Sequence, residues 1–523
     1  MALWRVIRSP SLVLMLKFPL WDDTKPKRPS SLPILSNSSF ITPSSFVNVS
    51  IFCILFSRCA ISSKVMNLKD AERRILDDPI VRLVTEEASK HKVRLYIVGG
   101  AVRDHILGRP HRDYDFIIEG DPYHLLRSLG IFFETKYFPL GRGEKVYRLV
   151  KGGKVLDFST LSGKDIMDDL SRRDFTINAI AYSPQYKRFY SHPESFKHLL
   201  EKKLVLLSDR AIVEDPLRIL RAFRYKATMN FELSKELKEE IYKKRELLKT
   251  VSRERILMEM EEIFLGEEVS QALLMMAELH ILDVIFPEME SLRNLQQGEN
   301  HIRDAFEHSV WVTILALKLA KEGKVIRFSQ DPKDLLVIGW SALFHDLGKP
   351  ETKTTEEEEK VHFYGHEVVS KIKAEKIMDR YPFPSDIKKR ILLVILNHMR
   401  PFQLIKTGFS EKSLRRLAHE MGEDIKSLLI LSLAETEEKG KEEEKTLLLE
   451  LSRKILDLVE KENISHPPRL LTGKDLLQMG FQPGKYMGEI LKKITQLQIE
   501  GVIKNKEEAL EYVKKNYSPT QED

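Results

Sequence analysis

Hydrophobic and polar positions along this chain follow two different rhythms. Between residues 94 and 160, short apolar runs alternate with Gly-rich or acidic punctuation, the rhythm of strands and turns. Leu95–Val98 is one run, Gly99 and Gly100 break it, and Ala101–Leu107 has helical spacing. Phe116–Ile118 is a second run, and KVLDFST at 154–160 reads as a later strand. Further on the period lengthens. SKELKEEIYKKRELLK, RERILMEMEEIF and QALLMMAELHIL carry apolar residues at three- and four-residue spacing, which predicts amphipathic helices. Met258, Met260, Met275 and Met276 in these segments read as helix core filling. No period of 20–50 residues recurs, so the chain is not a repeat array.

Composition changes this picture mainly at the N-terminus. At 523 residues and 42% apolar, the chain can build several cores. Its net charge of +6 comes entirely from residues 1–65, which hold eight Lys or Arg and two acids. From Met66 onward the two signs balance, so any nucleic-acid surface is a local patch, with the Lys-rich segment 235–249 and the tail as candidates. Cys53 and Cys59 also fall in that leading segment, so disulfides play no part beyond it and a reducing cytoplasm fits. The segment is basic, acid-poor and Ser/Pro-rich, which suits a targeting peptide or an extension ahead of a start at Met66. We prefer the start at Met66. Phe46–Phe56 is too short and polar to span a bilayer, so no membrane partner is expected. The acidic runs at 356–359 and 435–445 read as solvated faces.

Four polar motifs then stand in order: VGGAVRD at 98–104, DYD at 113–115, RRDFTINA at 172–179 and EDPLRILRAFR at 214–224. Gly99 and Gly100, at a strand-to-helix turn, let backbone approach a ligand and aim helix N–H groups at phosphate. Arg103, in the first helical turn, either reaches a triphosphate or pairs with Asp104. Asp113 and Asp115, two apart on a strand, share one face and suit Mg²⁺, a hard cation that prefers oxygen. Asp157 would be a third acid beside them, or a strand-edge acid. Asp215 only accepts hydrogen bonds and Arg218 only donates them. Such a pair complements the Watson–Crick edges of cytosine and adenine and rejects uracil and guanine. EDPLRILRAFR also reads as a Pro-started helix with N-terminal acids, and Asp174 and Asn178 as closing a local turn.

These motifs resemble the class II tRNA nucleotidyltransferases (CCA-adding enzymes) and the bacterial poly(A) polymerases, over about residues 66–523. The resemblance implies an α+β multidomain chain, in which a small polymerase-β-like mixed-sheet head precedes all-α neck, HD and tail domains. The expected limits are 66–184 for the head, 185–265 for the neck, 266–445 for the helical body and 446–523 for the tail. It implies Mg²⁺ on Asp113 and Asp115, with Gly99, Gly100, Arg103 and Asp157 around it. Arg173, Asp174 and Asn178 would contact ribose and phosphates. Asp215 and Arg218, braced by Glu214 and accompanied by Arg221, would template the base. The implied activity adds CCA to the 3′ end of tRNA from CTP and ATP. In the tail, Lys474 and Lys485 would touch tRNA phosphates.

Downstream, EHS at 307–309, FHDLGK at 344–349, YGHE at 364–367 and NHM at 397–399 resemble the HD-domain phosphohydrolases. By that resemblance His308, His345, Asp346, His366 and His398 would hold a divalent metal, whether Mn, Ni, Mg, Zn or Fe. The family supplies a further Asp on a late helix, and LSLAETEE places Glu435 there instead. The nearest rival function is a split activity, adding only CC or only A beside a complementary enzyme. A poly(A) polymerase fits less well, because LGRGEKVYRLV at 140–150 lacks that subgroup's Phe and His. An HD phosphohydrolase acting on RNA ends, with a head that only binds, is the alternative of a different class.

Overall fold

The protein is described by a computed structural model covering residues 67–519, apart from 141–145, 299–302, 356–360, 463 and 465–466. The cysteines, Met66 and the acidic run at 356–359 lie outside the described residues. The head is a mixed sheet of seven strands in the order β3-β4-β5-β2-β1-β6-β7. They are β1 (Arg94–Val98), β2 (Asp113–Glu119), β3 (Phe138–Pro139), β4 (Val146–Lys151), β5 (Lys154–Thr160), β6 (Ile180–Ser183) and β7 (Arg188–Ser191). β2 runs parallel to β5 and antiparallel to β1.

The period-two alternation of β2 decides which way its acids face. Tyr114, Phe116 and Ile118 are at most 1% exposed and join the main core, so Asp113 and Asp115 project from the other face. Phe116 stacks on Phe158 of β5 with ring centroids 5.1 Å apart, and each such buried ring is worth about 2 kcal/mol. Register sets Asp115 opposite Val98 on β1 and opposite Asp157 on β5.

Helices α1 (Leu68–Asp77) and α2 (Pro79–Lys90) meet at Asp78. Its Oδ1 accepts the Ile80 and Val81 N–H groups at 2.8 and 3.2 Å, and Pro79 begins α2 where no donor is needed. Helix α3 (Gly99–Leu107) leaves β1 without a linker. It starts two residues before the apolar spacing predicts, and Gly99 at the turn into it takes φ +63°, which a side chain would oppose. Helix α4 (Tyr123–Phe132) follows β2, and α5 (Arg218–Met229) carries the last motif. That helix begins at Arg218 and not at Pro216, since Asp215 is extended (φ −145°).

Helices dominate the rest. Helix α6 (Arg253–Leu265) buries Ile256, Leu257, Met260, Ile263 and Phe264. Met260 and Met276 are core residues as expected, but Met258 is 66% exposed, because it lies on the face of α6 opposite that stripe. The body continues with α7 (Ala305–Glu322), α8 (Pro332–Phe344), α9 (His366–Arg380), α10 (Ser385–Asn397), α11 (Ile425–Lys439) and α12 (Glu442–Glu462). Trp340 of α8 is fully buried among Phe264, Phe286, Phe344 and Phe383, with ring centroids 4.7–5.7 Å away. Leu448, Leu451 and Ile455 of α12 belong to this same core. A separate apolar cluster starts at Leu471 and unites α13 (Gly473–Gln478), α14 (Lys485–Ile499) and α15 (Lys506–Asn516). Among the described residues no helix is long and apolar enough to cross a membrane.

Candidate functional site

The head motifs converge on one cavity of about 810 Å³. Gly99, Gly100, Arg103, Asp113, Asp115, Asp157, Arg173, Asp174, Asn178, Asp215, Arg218 and Arg221 all line it. Glu214 does not. Its side chain is 55% exposed, with Oε2 3.6 Å from Arg218 Nη1.

Asp113 is exposed and Asp115 half-buried on the sheet face that the alternation of β2 dictates. Burial raises the Asp115 carboxyl above its usual value; Arg173 opposes this, while Asp157 and Asp113 add to the rise. Asp113, Asp115 and Asp157 line the same cavity and offer only oxygen donors, a donor set that fits a hard divalent cation. Asp157 is the third acid in position, but its carboxylate is already held. Arg148, directly opposite on β4, donates to both oxygens at 2.7 Å.

Gly99 stands between the acids and Arg173. A Cβ there would lie 2.5 Å from Arg173 Nη1 and 3.6 Å from Asp115 Oδ2. The first glycine of the pair therefore makes room for a guanidinium from a motif some seventy residues on. Arg173 is partly exposed, with Nη2 3.5 Å from Asp169.

Other polar residues of these motifs form an interior brace. Asp174 Oδ1 accepts from Asn178 Nδ2 and the Phe175 N–H, both at 2.8 Å, and Oδ2 accepts from Arg221 Nε at 2.9 Å. Asn178 Oδ1 accepts from Arg103 Nη1 at 2.7 Å, and Arg103 also donates to Asp104 at 2.9 and 3.1 Å. Arg103 thus pairs with Asp104 while also lining the cavity. The Asp174–Asn178 turn is also present, tied into a larger network. Tyr225 completes it, accepting from Asn178 and Arg221 at 3.0 and 3.2 Å. Burial pushes the Tyr225 phenol up, yet Arg221, Arg224 and Arg103 more than offset this and hold it below its usual value.

Asp215, just ahead of α5, and Arg218, its first residue, face the same cavity. Asp215 Oδ2 accepts from Arg255 of α6 at 2.9 Å, and Arg218 donates to the Ala211 and Arg172 carbonyls at 3.1 and 2.9 Å. The pair is thus oriented by partners that leave further acceptor and donor capacity. Arg255, Arg148, Tyr225 and the exposed Met258 are cavity or bracing residues that the motifs alone did not single out. Arg255 and Met258 lay in a quoted helix, and nothing local tied Arg255 to Asp215 or turned Met258 toward the cavity.

The second constellation gathers in the helical body. His308 on α7, His345 and Asp346 after α8, His366 on α9, His398 after α10 and Glu435 on α11 are each at most 5% exposed. Their ligand atoms form two groups, His308–His345–Glu435 and Asp346–His366–His398, each within 4.8 Å. His345, His366 and His398 donate Nδ1–H to the Ala342, Phe363 and Ile395 carbonyls at 2.7 Å, which turns each Nε2 inward. His366 Nε2 and His398 Nε2 face one another at 3.0 Å, and Glu435 Oε1 is buried without a hydrogen bond. Inward lone pairs and an orphaned carboxylate oxygen fit a divalent cation, and Glu435 reaches the cluster despite its longer arm. Two lysines share the site. Lys349 lies 2.5 Å from Asp346 Oδ2, and Lys439 donates to Glu435 Oε2 at 3.1 Å. Lys349 stands inside FHDLGK, and Lys439 follows Glu435 by one helical turn, so both were within reach of inspection. Lys474 and Lys485 are exposed on α13 and α14.

The chain matches three family models: the poly A polymerase head domain over 95–205, the probable RNA and SrmB-binding site of polymerase A over 230–292, and the HD domain over 305–477. It is 28% identical over 431 residues to the A-adding tRNA nucleotidyltransferase of Deinococcus radiodurans, covering 80% of this chain and 94% of that one. With the CC-adding tRNA nucleotidyltransferase of Thermus thermophilus it shares 29% over 420 residues, covering 79% and 91%. With the multifunctional CCA protein of Actinobacillus pleuropneumoniae it shares 32% over 326 residues, covering 58% and 75%. Its fold is that of the Thermotoga maritima CCA-adding enzyme solved with tRNA, at TM-score 0.60 and 19% identity, over 86% of this chain and 98% of that one.

Proposed function

The chain belongs to the tRNA nucleotidyltransferase and poly(A) polymerase family, and on that premise we propose that it adds CCA to the 3′ end of tRNA without a nucleic-acid template. The observation that carries this reading is a single cavity lined by Asp113 and Asp115 together with the Asp215–Arg218 pair. Mg²⁺ held on Asp113 and Asp115 would supply charge neutralisation at the reacting phosphate and the leaving group. The tRNA 3′-hydroxyl oxygen bonds to the α-phosphorus of CTP or ATP, the bond to the β-phosphate bridging oxygen breaks, and pyrophosphate departs. Arg173, kept beside the acids by Gly99, faces the phosphates, and Gly99 and Gly100 let the α3 N-terminus approach them. Asp215 accepts from the exocyclic amine of cytosine or adenine, while Arg218 donates to the neighbouring ring acceptor. Asp174, Asn178, Arg103, Arg221 and Tyr225 position α3 and α5 against each other. Catalysis on this reading is chiefly orientation and electrostatics. Exposed Lys474 and Lys485 are proposed phosphate contacts for tRNA, and cytoplasmic action goes with this substrate.

A second reading is favoured by the two relatives covered almost end to end, which are named for A addition and CC addition. Incubating the full chain with Mg²⁺, CTP and ATP and tRNA transcripts ending at the discriminator base, at C or at CC separates the two. Growth by CCA that then stops supports full addition. Arrest after CC, or A added only to the CC end, supports the split activity, and no growth on any transcript defeats both.

For the body, the His–Asp–Glu cluster is proposed to hold a divalent metal, with Mn, Ni, Mg, Zn and Fe all compatible with its ligands. Hydrolysis of 2′,3′-cyclic nucleotides tested with Ni²⁺, Mn²⁺ or Mg²⁺, and its loss in His345→Ala, is the check.

A further inference from the structure

A third group of metal-ligating side chains lies in the head, outside both sites just described. Asp78 sits at the α1–α2 junction, His105 on α3, and His111 two residues before Asp113. Their side chains are 13%, 5% and 10% exposed, and one ligand atom from each lies within 4.8 Å of the others. His105 Nε2 is 3.4 Å and His111 Nε2 4.0 Å from the same oxygen, Asp78 Oδ2.

The hydrogen bonds around the group turn His105 Nε2 and one Asp78 oxygen toward one another. His105 Nδ1 lies 2.8 Å from the Ala101 carbonyl, which can only accept, so Nδ1 carries a proton and Nε2 is the nitrogen turned toward Asp78. Asp78 Oδ1 is occupied by two backbone N–H groups of α2, while Tyr114 Oη donates to Oδ2 at 2.9 Å and orients it. His111 is nine-tenths buried, and among the described residues no side chain hydrogen-bonds either ring nitrogen; its polar neighbours are the Arg109 backbone and Asp78 Oδ2. A neutral imidazole whose other nitrogen donates to backbone, beside an oriented carboxylate, is the usual support of a metal ligand.

We propose that Asp78, His105 and His111 bind a divalent transition-metal ion of the Zn²⁺ class. Two imidazoles and one carboxylate suit such a cation and not Mg²⁺, which prefers oxygen alone. Tetrahedral zinc with bonds near 2.0–2.1 Å spaces its ligands roughly 3.4 Å apart, so only the His111 side needs to move inward. A neighbouring cavity of about 600 Å³ leaves room for water as a fourth ligand. Its lining includes Arg73, Arg74, Arg109 and Lys154, which repel a loosely held cation, so binding rests on direct coordination. The ion would join the N-terminal helices, which precede the matched head segment 95–205, to the short loop that delivers Asp113.

The test uses the full chain dialysed against micromolar Zn²⁺, with metal content counted by mass spectrometry for wild type and His111→Gln. The variant is expected to hold one zinc equivalent fewer. Crystals grown with Zn²⁺ should show a zinc-edge anomalous peak between Asp78 and His105, a readout that needs no variant to fold. Equal zinc content in the two proteins, or a peak at the His345–Asp346 cluster with none at Asp78, would mean that His105 merely ion-pairs with Asp78 and would overturn the proposal.

Discussion

In the head, Asp113 and Asp115 stand beside an open 810 Å³ cavity together with the partly exposed Arg173. In the helical body, His308, His345, Asp346, His366, His398 and Glu435 are at most 5% exposed, and their countercharges, Lys349 and Lys439, are nearly buried with them. The difference lies in what each site asks of its surroundings. An oxygen-only pair that opens into a cavity can exchange large charged substrates, at the cost of a half-buried Asp115. A sealed set of imidazoles and acids carries a desolvation cost that paired lysines offset, so it is bound up with the stability of the core. Breaking the first site should therefore cost rate, and breaking the second should cost folding.

The largest effect is expected from removing both head acids. Asp113→Ala with Asp115→Ala should lower nucleotide addition by about a thousandfold or more, roughly 4 kcal/mol of barrier, with an unchanged melting temperature. Single-turnover assays decide this, and surviving addition would remove Asp113 and Asp115 from the catalytic role. Next comes Glu435→Gln, which strands Lys439 in the core. We expect about 3 kcal/mol of lost stability in urea titrations while addition stays within about twofold. A variant that folds as well as wild type but adds nucleotides slowly would show that the two regions are coupled.

Asp174 joins the two kinds of behaviour, being a buried brace inside the open site. Burial raises its carboxyl, but Arg221, Asn178 and the Phe175 N–H prevail and hold it below the usual carboxylate value. A depressed carboxyl contributes stability above its unfolded value and loses that contribution as the pH falls through the folded one. Asp174→Asn should cost about 2 kcal/mol at pH 7 and progressively less below about pH 4, where wild type surrenders the same contribution. Denaturant midpoints at pH 7 and pH 3 provide the comparison, and an equal difference at both would contradict it. The smallest effect is at Gly99. Placing a methyl 2.5 Å from Arg173 Nη1, at a residue with φ +63°, should lower kcat/KM for the incoming nucleotide about tenfold in Gly99→Ala. An unchanged value would mean that Arg173 does not need to stand beside the acids.

Much of this architecture was legible from residue order. The two periods, two and three-to-four, separated the sheet from the helices, and the ordered motifs with the family they resemble joined Asp113, Asp115, Arg173, Asp215 and Arg218 into one expected site. The six-residue cluster of the body was also legible, through its resemblance to the HD-domain phosphohydrolases. Met258 was misjudged as core because helical spacing says which residues share a face, and not which face meets the core.

The sequence by itself determined which groups are available: paired acids on a strand, an acceptor–donor pair near a helix start, and imidazoles placed at helix ends. Local periodicity and turn chemistry act over a few residues, and they suffice for that. Only the tertiary structure decided who meets whom. Strand register set Arg148 on Asp157, the approach of α6 to α5 set Arg255 on Asp215, and the return of α11 brought Lys439 and Glu435 to His345. It also drew Asp78 to His105 and His111. Such contacts join residues that are distant in sequence, and they form only when apolar burial elsewhere has fixed the relative placement of whole elements.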